Sequence, residues 1–241
     1  MNPVLVFDMD ETLIASKKTY DRATDRYNIQ QIIFNERLLE IIRRAKVLKE
    51  KDKIDAILLL TNNKNIKCIF EEEERTFLDT VDYEYSRQTK NHIGAFFILF
   101  DNIYTAEPNA EKGRITRNYN FVPQNNERFK PSATAWSGKQ NEKFRYREKK
   151  DIKTIKKMLD ELEKSTEDLK KRIYFFDDET IPHAIKEELE GQNAAYITIT
   201  PPFGKGEDKT DLEPIEKKLN QLESSKGGTR RRKKKRTTLR K

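Results

Sequence analysis

Apolar and polar positions along the chain follow two different periods in turn. Short apolar runs, which are typical of buried strands, predict five strands: Val4 to Phe7, Ile54 to Leu60, Ala95 to Phe100, Arg172 to Phe176 and Ala194 to Thr200. Apolar residues at helical spacing predict four helices: Asn35 to Lys53, Ile66 to about Phe77, Asp151 to Glu163 and Ile181 to Glu190. Strands that alternate with helices predict an α/β fold with a mainly parallel sheet flanked by helices.

Four stretches do not fit this alternation. Residues 14–34 are long enough for a small hairpin. Residues 105–149 carry ten basic and five acidic residues among scattered Pro and Gly, which predicts a basic insertion. Residues 204–225 are acidic and amphipathic, and residues 226–241 predict a disordered basic tail. The α/β domain is therefore expected to lie within residues 1–203.

The net charge of +8 resides mostly in that tail. Residues 226–241 hold ten Lys or Arg and no acid, whereas the rest of the chain holds 39 basic and 41 acidic residues. Such a block is typical of a nuclear localisation signal or a nucleic-acid contact, and it also occurs as a solubilising end. Two glycines followed by an Arg/Lys block also resemble the C-terminal tails of proteins of large DNA viruses. Nucleic acid is therefore one predicted partner, held by the tail.

The composition excludes several classes of protein. A single cysteine, Cys68, rules out an intrachain disulfide, and with only two histidines the chain has too few ligands for a Cys/His zinc site. Arg75 gives Cys-x6-Arg rather than the Cys-x5-Arg of cysteine-dependent phosphatases, so we expect Cys68 to be structural. The longest apolar run, Ala95 to Phe100, is too short for a membrane span, and no signal peptide is recognisable. We expect an intracellular protein, cytoplasmic or nuclear, with no membrane partner.

Acidic residues follow two of the predicted strands. Asp8 and Asp10 come after the first strand, and Asp177 and Asp178 follow the fourth. In parallel sheets, ligands bind beyond the carboxyl ends of the strands. Carboxylates brought together there repel one another, so ionising both of a pair needs a cation or a raised pKa on one of them, and oxygen ligands without histidine or thiol suit a hard cation such as Mg²⁺.

An anion site is predicted at the same edge. Thr61 ends the second strand where a helix would begin, Asn62 follows it, and Lys150 begins the helix that leads into the fourth strand. Taken singly, Thr61 would serve equally as a helix N-cap, the acidic pair as a helix start, and Lys150 as a solvated lysine. Together with the carboxylates, these residues point to phosphoryl transfer on a phosphomonoester.

The combined pattern resembles the haloacid dehalogenase (HAD) superfamily of aspartate-nucleophile phosphatases. Four stretches match its four motifs in order: Val4-Leu5-Val6-Phe7-Asp8-Met9-Asp10-Glu11-Thr12, Leu58-Leu59-Leu60-Thr61, Lys150, and Phe175-Phe176-Asp177-Asp178. The resemblance covers about 170 residues and implies a Rossmann-like core. Asp-Met-Asp-Glu-Thr-Leu is further similar to the first motif of phosphatases that act on the C-terminal domain of RNA polymerase II.

The resemblance implies a role for each motif residue. Asp8 would be the nucleophile that forms an aspartyl-phosphate, and Asp10 would act as acid and then as base. Thr61, Asn62 and Lys150 would hold the phosphoryl oxygens, although Lys149 and Lys153 compete with Lys150 for the third motif. The ligands of Mg²⁺ would come from both acidic pairs, Asp8, Asp10, Asp177 and Asp178, with Asp10 binding through its backbone carbonyl and Asp178 directly or through water.

The resemblance also implies a substrate class. The predicted hairpin at 14–34 is too small for a full cap domain, and a small or open cap leaves a site reachable by macromolecules. We therefore expect a phosphorylated macromolecule, with a phosphoprotein first and a nucleic-acid end or a nucleotide second. The alternative from another class is a non-catalytic protein that keeps the HAD fold and binds nucleic acid or a partner.

Overall fold

The computed structural model describes residues 1–24, 26–64, 67–106, 115–120, 151–178, 184–189 and 195–225. Its strands in chain order are β1 (Val4–Phe7), β2 (Ile14–Asp21), β3 (Arg26–Phe34), β4 (Ala56–Lys64), β5 (Lys67–Phe70), β6 (Glu73–Thr76), β7 (Asn102–Ala106), β8 (Ile115–Asn120), β9 (Ile173–Asp177) and β10 (Ala195–Thr198). Its α-helices are α1 (Glu36–Glu50), α2 (Phe77–Thr89), α3 (Ile152–Glu161), α4 (Ala184–Leu189) and α5 (Glu213–Ser224).

The main sheet has the strand order β10-β9-β1-β4-β7-β8. Its first five strands are parallel, and β8 pairs antiparallel with β7 at one edge. Phe7 at the end of β1 pairs with Leu59 of β4 and with Phe176 of β9, so β1 and β9 end at nearly the same level, whereas β4 continues to Lys64. The prediction of a mainly parallel sheet flanked by helices is confirmed, and the arrangement is Rossmann-like.

Apolar side chains cover both faces of this sheet. Leu5 and Phe7 belong to the larger core, which also includes α1 and α2, whereas Val4 and Val6 belong to the core formed with α3 and α4. This alternation is the period of a strand that is buried on both faces. Burial on both faces thereby favours the register in which β1 and β9 end side by side.

A second, smaller sheet has the order β2-β3-β5-β6. β2 and β3 form an antiparallel hairpin with Ile14 opposite Phe34, which confirms the hairpin predicted for residues 14–34. β5 then adds to β3 in parallel, and β6 pairs antiparallel with β5. The smaller sheet is therefore built from two strands that precede β4 in the chain and two that follow it.

Two predicted elements are wrong. The helix predicted from Ile66 to about Phe77 is instead the pair β5 and β6, and α2 begins only at Phe77. The segment predicted as a strand from Ala95 to Phe100 contains a 3-10 turn at Phe97–Leu99, and the next strand is β7.

Asp82 of α2 explains the error at Ala95 to Phe100, because its carboxylate accepts the backbone N–H groups of Gly94 at 2.6 Å and Phe96 at 2.8 Å. These bonds hold the apolar run as a turn.

The acidic segment at 204–225 contains α5, which packs on α1. Ile215 and Leu219 of α5 are fully buried. Arg44 of α1 donates to Glu223 at 2.9 Å and to Asn220 at 2.7 Å. The amphipathic pattern of this segment therefore reflects a helix that covers α1.

Parts of the predicted organisation lie outside the described residues. These parts are residue 150, the tail at 226–241 and most of the insertion at 105–149, of which only 105–106 and 115–120 are described. Those two pieces belong to β7 and β8, so the start of the predicted insertion contributes to the main sheet. No helix within the described ranges is long and apolar enough to cross a membrane.

Candidate functional site

Three aspartates meet at the carboxyl edge of the main sheet. Asp8, Asp177 and Asp178 each offer a carboxylate oxygen, and these oxygens lie within 4.8 Å of one another. Asp8 and Asp177 are buried, with 5% and 0% of their surface exposed, and Asp178 is half-buried. The sequence predicted that these three residues would come together, and the structure brings them together.

The pairing of β1 with β9 positions this acidic cluster. The Asp8 backbone N–H donates to the Phe176 carbonyl at 2.9 Å, and the Phe7 and Phe176 rings stack with centroids 4.3 Å apart. The Ile199 N–H donates to the Asp177 carbonyl at 2.8 Å and fixes the end of β9 from the other side. The two carboxylates therefore project from strand ends with little freedom to separate.

The loop after β1 adds a hydroxyl to the cluster. The Met9 carbonyl accepts N–H groups from Leu13 at 2.9 Å and Ile14 at 3.0 Å, which closes the loop tightly. Inside this loop Thr12 is fully buried, and its Oγ1 donates to Asp178 Oδ1 at 3.3 Å. The threonine of the first motif thus orients the outermost carboxylate of the cluster.

The Asp10 carboxylate is not a member of the acidic cluster and pairs with a lysine. Lys18 Nζ of β2 lies 3.1 Å from both Asp10 carboxylate oxygens. The same ammonium lies 4.4 Å from the centre of the Phe77 ring and 5.0 Å from that of Tyr27. The predicted carboxylate quartet is therefore a trio plus a separate Asp10–Lys18 ion pair.

Sequence reasoning missed Lys18, although a signal was present. The period of a strand that starts with the buried Ile14 places Ser16 and Lys18 on the same face, whereas Lys17 belongs to the opposite face. Lys17 is exposed and Lys18 is partly buried. Assigning a strand to residues 14–21, rather than an unspecified hairpin, would have identified the inward lysine.

The predicted anion site differs from expectation. Thr61 is buried, as a site residue at this edge would be, but β4 continues past it to Lys64 and β5 follows. A helix N-terminus with free N–H groups therefore does not follow Thr61, and that part of the prediction is wrong. Asn62 lies in β4, and Lys150 lies outside the described residues.

The helix that follows the third predicted motif can be placed relative to the sheet. α3 ends near the start of β7, because Asn102 Nδ2 donates to Glu161 Oε2 at 3.0 Å. α3 therefore begins at the opposite edge of the sheet, which is the edge of the acidic cluster. Its N-cap is Asp151, whose carboxylate accepts the Thr154 N–H at 2.7 Å. The third predicted motif precedes this helix start, and Lys153 in its first turn is exposed.

Two other buried titratable groups have structural partners. Cys68 is fully buried and shares a hydrogen bond of 2.9 Å with Thr80, and burial raises the pKa of its thiol. Burial likewise raises the pKa of Asp82, whose carboxylate accepts the backbone N–H groups described above. Cys68 is therefore structural, as predicted, and a thiolate nucleophile is disfavoured.

Comparisons of the chain with protein-family models, with curated proteins and with solved structures find no match. The described structure by itself defines an α/β protein with a Rossmann-like core and an acidic cluster at the carboxyl edge of its parallel strands.

Proposed function

We propose that this protein is a Mg²⁺-dependent phosphomonoester hydrolase of the HAD type that uses Asp8 as its nucleophile. The observation that carries the proposal is the grouping of Asp8, Asp177 and Asp178 within 4.8 Å at adjacent strand ends. Buried carboxylates at such distances repel one another strongly unless a cation lies between them or one of them binds a proton, and a cation accounts for all three being acidic. The order of the motifs along the chain supports the same proposal.

The donor set fits magnesium. All three side chains offer oxygen, the ligand type that Mg²⁺ prefers, and Asp178 is open enough on one side for water to complete the coordination. Asp8, Asp177 and Asp178 would hold the ion, and Asp10 remains a candidate only through its backbone carbonyl, since its carboxylate pairs with Lys18. A bound Mg²⁺ would lower the negative potential that a phosphoryl group meets and would stabilise the charge on its oxygens.

The side chains divide the reaction into two displacements. An Asp8 carboxylate oxygen attacks phosphorus while the bond to the leaving oxygen breaks, and Asp10 gives that oxygen a proton. In the second step Asp10 takes a proton from water, the water oxygen attacks phosphorus, and the bond to Asp8 breaks. The products are an alcohol and inorganic phosphate, and the enzyme returns to its starting state. Thr61, a buried residue of the neighbouring strand β4, would donate its hydroxyl to a phosphoryl oxygen.

The test is hydrolysis of an aryl phosphate by the purified chain, with and without Mg²⁺. We expect turnover that requires the metal and is lost in Asp8→Asn, because an amide is not a nucleophile here. Asp177→Asn should raise the Mg²⁺ concentration that is needed for half-maximal turnover. Residual turnover at high Mg²⁺ in this variant would distinguish a metal ligand from the nucleophile. During turnover, protein-bound phosphate should survive a quench in cold acid and should be released by hydroxylamine, as expected of an acyl phosphate.

The matched control is Asp52→Asn. Asp52 follows α1 at the opposite edge of the sheet, is exposed, and has a φ of 55°, a backbone conformation that asparagine also adopts. This variant should retain full activity. The absence of Mg²⁺-dependent turnover on every phosphomonoester tried, with Mg²⁺ binding intact, would overturn the proposed function.

For the substrate we propose a phosphoprotein. Asp10 and Lys18 keep 30% and 23% of their side-chain surface exposed, which supports access of a large substrate to the proposed acid and base. A panel of phosphopeptides, 3′-phosphorylated DNA and nucleotides tests this proposal. A preference for DNA ends that disappears on deletion of residues 226–241 would instead favour a nucleic-acid substrate held by the basic tail.

A further inference from the structure

We propose that Lys18 is a positioning residue that holds the Asp10 carboxylate in place for proton transfer. This inference rests on the proposed function, and it assigns to the hairpin a part in the chemistry. The proposal rests on the position of the Lys18 ammonium group, which contacts Asp10 in the loop after β1 (the catalytic loop of the proposed mechanism), Tyr27 in the hairpin and Phe77 at the start of α2.

The first step of the argument is the symmetry of the Asp10 contact. Lys18 Nζ lies 3.1 Å from both Oδ1 and Oδ2, so this donor group restricts the rotation of the carboxylate as well as its position. A side chain with 30% of its surface exposed has several accessible rotamers unless a partner selects one. Lys18 is such a partner for Asp10.

The second step is that Lys18 is itself held. Its ammonium faces the Phe77 ring at 4.4 Å and the Tyr27 ring at 5.0 Å, and both rings attract a cation. Tyr27 and Phe77 also contact each other with centroids 6.1 Å apart. A lysine on a flexible stem would orient its partner poorly, whereas a lysine between two rings and a carboxylate is confined.

The third step is that this pairing is specific to one of two neighbouring lysines. The register between β2 and β3 shifts between Lys17 and Lys18, where the hairpin carries an irregularity. Lys17 points to solvent, and Lys18 turns towards the catalytic loop. The chain therefore provides a matched control of identical chemistry at the adjacent position.

The consequence differs between the two displacements. An aryl leaving oxygen departs without a proton, so formation of the aspartyl-phosphate on Asp8 does not need a well-placed Asp10. Its hydrolysis still does, because water must lose a proton to attack. With an aryl phosphate, loss of Lys18 should therefore slow the second step selectively and let the intermediate accumulate. With an alkyl phosphate both steps need Asp10, and turnover should fall without accumulation.

The experiment uses the full chain with Mg²⁺ and a ³²P-labelled aryl phosphate, quenched in acid during steady-state turnover. For Lys18→Met we expect turnover to fall about ten-fold or more, and the share of enzyme carrying covalent ³²P to rise several-fold. Lys18→Arg should restore much of the rate, and Lys17→Met should match the wild type in both measurements. A merely destabilised enzyme would lose turnover without a rise in that share.

A double variant makes the result independent of folding yield. If Lys18 acts through Asp10, Lys18→Met should have no further effect on the rate once Asp10→Asn is present. Equal losses in both backgrounds, or an unchanged share of phosphoenzyme in Lys18→Met, would overturn the positioning role while leaving the proposed function intact. Absence of Mg²⁺-dependent turnover in the wild type would overturn both.

Discussion

Replacing Asp8 by asparagine should remove activity and at the same time stabilise the metal-free protein. The substitution leaves the shape of the side chain unchanged but removes one of three negative charges whose oxygens lie within 4.8 Å. Asp8 takes part in two of the three repulsive pairs of the acidic cluster, with Asp177 and with Asp178. The residue that the proposed chemistry needs most is therefore one that the metal-free fold would be more stable without.

The size of the effect follows from the distance. Two unit charges 4.8 Å apart repel by about 3 kcal/mol at an effective dielectric constant of about 20, and by about 1 kcal/mol in bulk water. Because Asp178 is half-buried, its share is reduced by solvent, and hydrogen bonds to an ionised Asp8 are weakened in the variant. We expect a net gain of about 1–2 kcal/mol in the free energy of unfolding without metal.

The assay is urea unfolding of wild type and Asp8→Asn, each in EDTA and in excess Mg²⁺. In EDTA the variant should unfold at the higher urea concentration. Mg²⁺ at about 100 times its dissociation constant should stabilise the wild type by about 2.7 kcal/mol, and it should stabilise the variant far less. A variant that is less stable than the wild type in EDTA, and equally stabilised by Mg²⁺, would refute the cation site at this cluster.

Three further predictions concern residues away from the cluster. Arg172→Met should cost about 3–5 kcal/mol in urea unfolding, because the buried guanidinium pairs with Asp55 and donates to backbone carbonyls, and its loss leaves these groups unsatisfied; a loss below 1 kcal/mol would contradict this role. Burial raises the pKa of Asp82 above its ordinary 3.8, so the folded state binds the proton more readily and the free energy of unfolding should fall as pH rises through that pKa; this slope should be smaller in Asp82→Asn. Gly204→Ala should destabilise the protein by about 1–3 kcal/mol in thermal unfolding, because φ is 85° and a Cβ would come within 2.5 Å of Ala15 Cβ, and an unchanged transition would contradict this close approach.

The sequence was informative where strands are buried on both faces. Val4 to Phe7 and Arg172 to Phe176 are apolar runs followed directly by acids, and both are adjacent parallel strands in the structure. Once these strands pair in register, Asp8 and Asp177 must meet, so the acidic cluster could be predicted from local patterns alone. The only long-range assumption behind this prediction is the rule that ligand-binding residues gather beyond the carboxyl ends of parallel strands.

The wrong prediction of a helix where β5 and β6 lie has a local cause. Ile66, Ile69 and Phe70 fit helical spacing, but the buried residues are Cys68 and Phe70, with Ile69 exposed between them. The turn between the strands consists of Glu71 and Glu72, both in the left-handed region at φ of 51° and 68°. Glutamate is disfavoured there, so the turn carries none of the Asn-Gly chemistry that marks a hairpin in a sequence. Pairing of β5 with β3 offsets that preference, and no local pattern reveals it.

The failure at Ala95 to Phe100 shows how one polar residue redirects an apolar run. A run of six apolar residues is compatible with a strand or with a buried turn. Asp82, thirteen residues before Ala95, decides the matter by accepting the N–H groups of Gly94 and Phe96. A buried carboxylate without such donors would be costly, so the turn and the aspartate stabilise each other. Sequence reasoning that treats Asp82 as one more helix residue cannot anticipate this.

The distribution of charge at the sheet edge explains why the proposed function needs more than the acidic cluster. Three carboxylates and one divalent cation leave a negative site, and a phosphoryl dianion would be repelled from it. Lys18 does not relieve this repulsion directly, because its charge is offset by Asp10. A further cation facing the cluster is therefore a physical requirement of phosphoryl transfer here. The third predicted motif adjoins α3 in the chain, so replacing its lysine, which is one of Lys149, Lys150 and Lys153, by methionine should raise KM for a phosphomonoester, whereas Lys17→Met should not. If all three variants keep the wild-type KM, the charge balance is met elsewhere, and the assignment of the third motif is wrong.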